Sequence, residues 1–138
     1  TGLNLTALSA KGAVFYGLDM EGVQLQGAHL ENADLRSARL YRADLRGARL
    51  KNAKMSGADL RGAQLGPLLI GADRLLAADL TGANLRGADL SGADLRRAVL
   101  TSADLGRAVM HGAQTRQIEL TGANLAGVRG LTLEDQAG

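Results

Sequence analysis

Histidine and carboxylate side chains are the groups of this chain that could perform acid–base chemistry or bind a metal. The two histidines, His29 and His111, are eighty-two residues apart in the sequence. A catalytic or metal site needs several such groups converging on one pocket. Asp89 and Asp94 are only five residues apart, but they occupy the same outward position of a five-residue repeat. We therefore expect no catalytic residue and no metal ligand.

Three glycines have the spacing of a phosphate-binding loop: Gly82, Gly87 and Gly92. In such a loop a Lys and then a Ser or Thr follow the second glycine, because both side chains bind the phosphates and their Mg²⁺. Here Ala88 and Asp89 follow Gly87, so we interpret the glycines as corners of the repeat. The sequence predicts no cofactor site and no enzymatic activity.

The strongest pattern in the chain is a large apolar residue at every fifth position. From Leu5 to Gly130 there are twenty-six such positions, and eighteen of them are Leu. Alanine commonly stands two residues earlier, so the Ala–Leu pair shares one face of a very short strand, and the residue between them faces solvent. The two remaining residues must turn the chain. A short fixed period of this kind predicts an all-β solenoid coiled around an apolar axis.

The repeat unit is alanine, then Asp or Asn, then leucine, followed by two variable residues. It occurs at nine places, which begin at Ala33, Ala43, Ala58, Ala78, Ala83, Ala88, Ala93, Ala103 and Ala123. The chain resembles the pentapeptide-repeat family over essentially its whole length. The resemblance implies a bacterial protein with one domain, residues 1–138, folded as a right-handed quadrilateral parallel β-helix. It also implies twenty residues per coil, and hence six to seven coils.

Twenty residues per coil predict which side chains stack. The predicted inward core column is Leu25, Leu45, Leu65, Leu85, Leu105 and Leu125. One outward column would be Asn4, Gln24, Asp44, Gln64, Asn84, Asp104 and Asn124, which we expect to form a hydrogen-bonded ladder. A second would stack the hydroxyls of Thr81, Thr101 and Thr121.

The pattern falters between residues 66 and 77. Pro67 cannot donate to a strand ladder, and Asp73 stands where a small inward residue is expected. Either every residue keeps its register, with Leu69 and Leu76 facing solvent, or a loop is extruded and every later column shifts by one or two sides. Loops on a rigid scaffold are favoured places for partner binding. The candidate partner-binding residues are Pro67, Leu68, Leu69, Asp73, Arg74 and Leu76.

Both ends depart from the repeat, as the caps of an open solenoid must. Residues 1–20 are interpreted as a degenerate first coil in which Phe15 fills the wider end. Residues 131–138 are predicted to form a short helical cap, with Thr132 as its N-cap. Either terminal coil is a candidate homodimer contact. Because the chain begins at Thr1, we expect a processed protein or a piece of a larger one.

Composition limits the kinds of partner. The 16 basic and 14 acidic residues leave a formal net charge of +2, and the two signs alternate along the chain. The chain has no cysteine, so disulfides and thiolate metal sites are excluded. No apolar run approaches the length of a membrane span, and a cytoplasmic location is favoured.

Three functions are compatible with such a rod. The favoured one is a non-catalytic protein–protein interaction module or scaffold with an unidentified protein partner. The second comes from the resemblance, because some family members imitate B-DNA and bind DNA gyrase or topoisomerase IV, protecting against quinolones. Duplex DNA carries about one charge per 1.7 Å, which a chain of net charge +2 does not match. The third, direct nucleic-acid binding, is disfavoured because Asp alternates with Arg and only three aromatic residues could stack on bases.

Overall fold

The computed structural model describes residues 2–134, which form a four-sided parallel β-helix. Each side is a three-residue segment bridged to the same side of the next coil, and each corner is a two-residue turn. Up to residue 65 the bridged residues are twenty apart, for example Gln24 and Asp44. Six residues line up along each side, so the stack is about 30 Å long at the strand spacing of about 4.8 Å.

The corners depend on the backbone conformation of their second residue. The residue after each turn donates its N–H to the carbonyl of the leucine before it, as Ala48 does to Leu45 at 3.0 Å. The second corner residue has a positive φ, +66° at Gly47, which the third residue of a type II turn requires. Glycine adopts this conformation without strain, whereas Arg42 adopts a similar φ of +59° at an energetic cost.

Where the repeat carries Asp or Asn, that side chain completes the corner that follows. Its side-chain oxygen accepts the N–H of the first corner residue, as Asp34 Oδ1 does from Arg36 at 3.1 Å. This bond satisfies a backbone donor that has no carbonyl partner, and it explains the preference for Asp and Asn in the repeat. The predicted ladder along the outward column is wrong, because these side chains turn toward their own corners. Asn124 Nδ2 makes one of the contacts between coils, 3.0 Å from Asp104 Oδ1.

We name the four sides by their central, outward residues. Face A consists of Asn4, Gln24, Asp44, Gln64, Asp94 and Gln114. Face B consists of Ser9, His29, Arg49, Asp79, Val99 and Glu119. Face C consists of Val14, Asp34, Lys54, Asn84, Asp104 and Asn124. Face D consists of Asp19, Arg39, Asp59, Asp89, Val109 and Arg129.

An insertion changes the register once. Arg49 bridges Asp79 and Gln64 bridges Asp94, so these partners are thirty residues apart. The segment 66–77 therefore places twelve residues where a corner needs two. Of the two alternatives for this segment, the structure adopts the extruded loop. The offset returns to twenty afterwards, as between Asp79 and Val99, and every column after residue 65 is displaced by two sides.

This displacement corrects the predicted columns. The inner column of face A is Leu5, Leu25, Leu45, Leu65, Leu95 and Thr115. The inner column of face C is Phe15, Leu35, Met55, Leu85, Leu105 and Leu125. Leu85, Leu105 and Leu125 were thus assigned to the wrong column, and the outward residues Asn84, Asp104 and Asn124 lie on face C. The three threonines do share a corner, but Thr81 Oγ1 donates to Asp79 at 2.6 Å.

The core consists of stacked leucine and alanine layers. Leu50 and Leu90, in the interior coils, are completely buried, and burying a leucine stabilises a fold by about 1.5–3 kcal/mol. Five of the six predicted core leucines are buried, whereas Leu125 in the last coil is 37% exposed. Since each layer contacts only its neighbours, we expect stability to add along the axis.

The C-terminal end is closed by an extended segment in place of the predicted helix. Residues 131–134 contain no helical turn, and residues 135–138 lie outside the described part of the chain. Thr115 Oγ1 donates to the Thr132 carbonyl at 2.7 Å, and the Glu134 N–H donates to Thr115 Oγ1 at 3.0 Å. Glu134 Oε1 accepts the Thr115 N–H at 2.8 Å. Thr132 is therefore not a helix N-cap, and the threonine that ends the leucine column has partners for its buried hydroxyl.

Candidate functional site

The inserted segment folds as a β-hairpin at the corner between faces A and B. Strand β1, Leu68–Gly71, pairs antiparallel with strand β2, Arg74–Leu76. Leu68 lies opposite Leu76 and Leu69 opposite Leu75, and the register shifts before Gly71. Because side chains alternate along a strand, one leucine pair faces the solenoid and the other faces solvent.

The inward pair packs on a column of corner glycines. A Cβ atom placed on Gly47 would lie 2.9 Å from Leu68 Cβ and 3.2 Å from Leu76 Cδ2. One coil closer to the N-terminus, a Cβ on Gly27 would lie 3.8 Å from Leu68 Cδ2. The absence of side chains at these corners lets the hairpin lie directly on the backbone. It is therefore docked along coils that precede its own insertion point.

Three apolar side chains of the hairpin are exposed. Leu69 is 66% exposed, Ile70 45% and Leu75 48%. A shallow hollow beside them is lined by Leu69, Gly71, Ala72, Asp73 and Leu75. Neither strand adds a hydrogen bond to the coils through its pairing, since the two strands form a separate two-stranded sheet. The solenoid thus carries an element that presents apolar side chains to solvent.

The six residues predicted to bind a partner occupy three different environments. Leu68 and Leu76 are half-buried against the glycine column. Pro67 lies at the base of the hairpin. Leu69, Asp73 and Arg74 are exposed.

Sequence reasoning missed Ile70 and Leu75, which complete the apolar surface. Both fall on multiples of five and were read as inward repeat positions. The signal that could have found them is the neighbouring Leu69 and Leu76, since adjacent apolar residues cannot all face one side of a strand.

Arginines surround the C-terminal side of the hairpin base. A hollow of about 200 Å³ is lined by Pro67, Arg96, Arg97, Arg116 and Gln117. Arg96 binds Asp94 through two bonds, Nε to Oδ1 at 2.9 Å and Nη2 to Oδ2 at 2.7 Å. Arg97 and Arg116 make no ion pair within residues 2–134. The base of the hairpin is therefore positively charged next to the exposed leucines of its strands, Leu69 and Leu75.

Elsewhere many surface charges are neutralised by their neighbours. Four arginines bind the repeat Asp two residues earlier in the same two-bond geometry: Arg36, Arg46, Arg61 and Arg96. Hydrogen bonds from Arg36 lower the pKa of Asp34 to about 2, and those from Arg61 lower the pKa of Asp59. Burial raises the pKa of Asp94, but the bonds from Arg96 outweigh it and the net shift is downward. These carboxylates stay ionised, and their charge is matched locally.

The side chains that could bind a metal do not converge. His29 lies on face B, and His111 lies at a corner where it covers Gly130. Within residues 2–134 no group of three His, Cys, Asp or Glu side chains could hold a metal ion. No helix in that range is long and apolar enough to cross a membrane.

Comparison with known protein families accounts for this architecture. The model of the pentapeptide repeats matches eight copies, over residues 28–65 and 78–114. The gap between the two matched ranges is the hairpin segment. This chain belongs to the pentapeptide-repeat family.

Solved structures of pentapeptide-repeat proteins have the same fold, a right-handed β-helix. Rfr23 from the cyanobacterium Cyanothece 51142 is 24% identical with a TM-score of 0.76, and the alignment covers 92% of this chain and 91% of Rfr23. Trypsin-treated QnrB1, a plasmid-mediated fluoroquinolone resistance protein, is 23% identical with a TM-score of 0.69, covering 95% of this chain and 64% of QnrB1. The protein alr5209 from Nostoc PCC 7120 is 44% identical with a TM-score of 0.54, covering 62% of each chain. A comparison with curated protein sequences finds no significant match.

Proposed function

We propose that this chain is a non-catalytic protein-interaction module that binds its partner through the inserted hairpin. The observation that carries the proposal is the exposed apolar set Leu69, Ile70 and Leu75 on an element the solenoid does not need for its own pairing. Neighbouring apolar side chains kept in solvent are typical of interaction sites. The rigid coils hold the hairpin in one place, which lowers the entropic cost of binding.

The charge pattern adds to the description of the partner. Arg97 and Arg116 lie at the base of the hairpin without ion-pair partners within residues 2–134. A complementary surface would place apolar side chains against Leu69 and Leu75 and carboxylates against the base. We therefore propose a protein partner with an apolar patch bordered by acidic residues. The cytoplasmic location remains a prediction.

Charge argues against the alternative of a DNA mimic. The similarity to QnrB1 lies below 25% identity and concerns the fold alone. A mimic needs uncompensated negative charge along one side, whereas faces A to D each mix acidic residues with neutral or basic ones. The Asp–Arg pairs also reduce the positive field that direct nucleic-acid binding would need. With purified DNA gyrase we expect no inhibition of supercoiling at micromolar protein. Inhibition would favour the DNA mimic over the protein-interaction module.

The hairpin proposal is tested by partner capture with matched variants. Leu69→Lys and Leu75→Lys should abolish recovery of any partner bound by the wild-type chain, because a lysine cannot be buried in an apolar contact. Leu133→Lys is the matched control, since Leu133 is 57% exposed but lies at the C-terminal end. Circular dichroism should show an unchanged fold for all three. Binding that survives both hairpin variants would contradict the proposal.

The same scaffold function includes self-association through a terminal coil. Apolar residues are exposed in both terminal coils: Leu3 is 61% and Leu18 49% exposed in the first, and Leu125 is 37% exposed in the last. The terminal-coil homodimer stays a proposal.

A further inference from the structure

The turn of the hairpin carries a carboxylate beside the exposed leucines. Asp73 lies between strands β1 and β2, at the end of the hairpin away from its base. It lines the same shallow hollow as Leu69 and Leu75. Asp73 is exposed and makes no ion pair within residues 2–134. The apolar surface of the hairpin is therefore bordered by an acidic group at one end.

The neighbouring Arg74 does not neutralise this carboxylate through an ion pair. Arg74 and Leu75 are consecutive in strand β2, so their side chains point to opposite sides of the hairpin. Leu75 lines the hollow together with Asp73, and Arg74 does not. The unpaired negative charge and the exposed leucines thus belong to one surface.

The base of the hairpin has the opposite charge. Arg97 and Arg116 line the hollow at Pro67 and make no ion pair within residues 2–134. Their backbones are adjacent, since the Arg97 N–H donates to the Arg116 carbonyl at 2.9 Å. Glu119 lines a neighbouring hollow with Arg97, but the two unpaired arginines outnumber this carboxylate. The hairpin therefore has an acidic turn, exposed leucines in its strands and a basic base.

We propose that the hairpin binds the hairpin of a second copy of this chain, an inference that rests on the proposed function and names a partner for it. The partner proposed above carries an apolar patch bordered by acidic residues. Leu69, Leu75 and Asp73 form such a patch on this chain itself. The two hairpins pack with their exposed leucines in contact across a two-fold axis, so each copy contributes the same surface.

The charges select an antiparallel arrangement of the two hairpins. If the hairpins were parallel, Asp73 would face Asp73 of the second copy, and the two basic bases would also meet. Like charges brought together at an interface oppose association. If the hairpins are antiparallel, each turn lies against the base of the other copy. Arg97 and Arg116 then supply donors for the carboxylate of Asp73, and the symmetry makes this contact twice.

The size of the surface limits the strength of this dimer. A stable interface buries about 800 Å² on each partner, and the three exposed side chains Leu69, Ile70 and Leu75 provide far less. We therefore expect a weak dimer whose population depends on concentration. The charge contacts at the two ends supply its specificity.

Sedimentation equilibrium from about 10 µM to 1 mM measures such an association. The wild-type chain should dimerise, and Leu69→Lys should weaken the dimer at least tenfold because it places a charge in the apolar contact. Asp73→Arg should also weaken it at least tenfold, because the turn would then repel the base. Arginine suits the backbone at this position: φ is +60° at Asp73, and Arg42 and Arg107 adopt +59° and +60°.

A base variant that carries both Arg97→Asp and Arg116→Asp should weaken the dimer as much as Asp73→Arg does. The matched control carries Arg107→Asp and Arg129→Asp, which change the net charge equally. Arg107 has the same positive φ as Arg97 within 1°, and Arg129 lies on face D. Both control sites lie away from the hairpin, so the control should dimerise like the wild type. Thermal unfolding curves check that every variant folds.

Mixing the two charge variants is the decisive measurement. Asp73→Arg alone and the base variant alone should be mostly monomeric. In an equimolar mixture, both turn–base contacts of a mixed dimer join opposite charges, so the variants should associate with an affinity within about tenfold of the wild type. A substitution that only damaged the fold of its own copy would not be rescued by the other variant.

A wild-type chain that is monomeric at about 1 mM would overturn this inference, as would a mixture that fails to associate. A dimer that survives Leu69→Lys but is lost in Leu18→Lys would also overturn it, because association would then belong to a terminal coil. The proposed function is judged separately. If the wild-type chain is monomeric while Leu69→Lys abolishes capture of a different protein, this inference fails and the hairpin proposal stands.

Discussion

Replacing Gly47 with alanine tests whether the corner glycines hold the hairpin on the solenoid. The new methyl group would lie 2.9 Å from Leu68 Cβ and 3.2 Å from Leu76 Cδ2. Carbon atoms in contact prefer separations of about 3.5–4.0 Å. Both leucines would therefore have to move outward.

The expected loss of stability has two parts. An alanine at a φ of +66° costs about 1–2 kcal/mol relative to a relaxed conformation. Undocking the hairpin removes the contacts of two half-buried leucines, and since full burial of one is worth about 1.5–3 kcal/mol, the second loss is also about 1.5–3 kcal/mol. Gly57→Ala isolates the first part, because Gly57 has the same φ and its added Cβ would meet only Ser37 Oγ at 3.6 Å.

Urea unfolding and hydrogen exchange measure the two parts. The free energy of unfolding should fall by about 1–2 kcal/mol for Gly57→Ala and by about 2.5–5 kcal/mol for Gly47→Ala. Amides of residues 68–76 should exchange faster only in Gly47→Ala. Gly27→Ala should behave like Gly57→Ala, because its Cβ would lie at an ordinary 3.8 Å from Leu68 Cδ2. Equal losses at positions 47 and 57, with unchanged exchange in the hairpin, would refute the docking argument.

Two further predictions concern the core and the surface carboxylates. Leu100→Ala should lower the free energy of unfolding in urea by about 3–5 kcal/mol, because Leu100 is completely buried and the coil cannot collapse around the cavity; Leu125→Ala, at a 37% exposed site, should cost clearly less. The pKa values of Asp34, Asp59 and Asp94 are lowered in the folded protein. The ionised carboxylates therefore stabilise the fold fully above the pKa of an unfolded Asp, about 3.9, and this stabilisation is lost as the pH falls toward about 2. Urea unfolding between pH 5 and 2 should show this loss, and Asp34→Asn should reduce it; a pH-independent stability in the wild type would contradict the assignment.

The local structure could be predicted from the repeat. The five-residue period places leucine and alanine inside and the residue between them outside, and the interior coils follow this rule. The Asp and Asn preference also has a local cause, the bond to the corner N–H two residues later. Interactions over two to five residues are contained in the sequence pattern itself.

The register beyond residue 65 could not be predicted in the same way. The interval from Leu60 to Leu80 is twenty residues, and an insertion of ten residues is two repeat units, so the period continues through the hairpin unchanged. All four sides use the same residue types, and hence the pattern does not show which side a unit occupies. Pro67 and Asp73 marked the segment as irregular but left both alternatives open.

The candidate site depended on the fold for a different reason. The alternation of Leu68 and Leu69 could divide the hairpin into two faces, but the receiving surface consists of Gly27 and Gly47, at least twenty-one residues away in sequence. The exposure of Leu69 and Leu75 follows from that docking, because it decides which leucine pair faces the wall. Contacts between dissimilar segments far apart in the sequence leave no periodic pattern from which they could be predicted.

The sequence alone determined that this protein is a β-solenoid with a leucine core, because each five-residue unit contains its own strand, its own corner and the side chain that completes the corner. The tertiary structure decided which units stack, where the hairpin lies and which of its side chains reach solvent. The physical reason is that coil-to-coil hydrogen bonds are made by backbone groups common to every residue. Only the three-dimensional path of the chain selects among their possible partners.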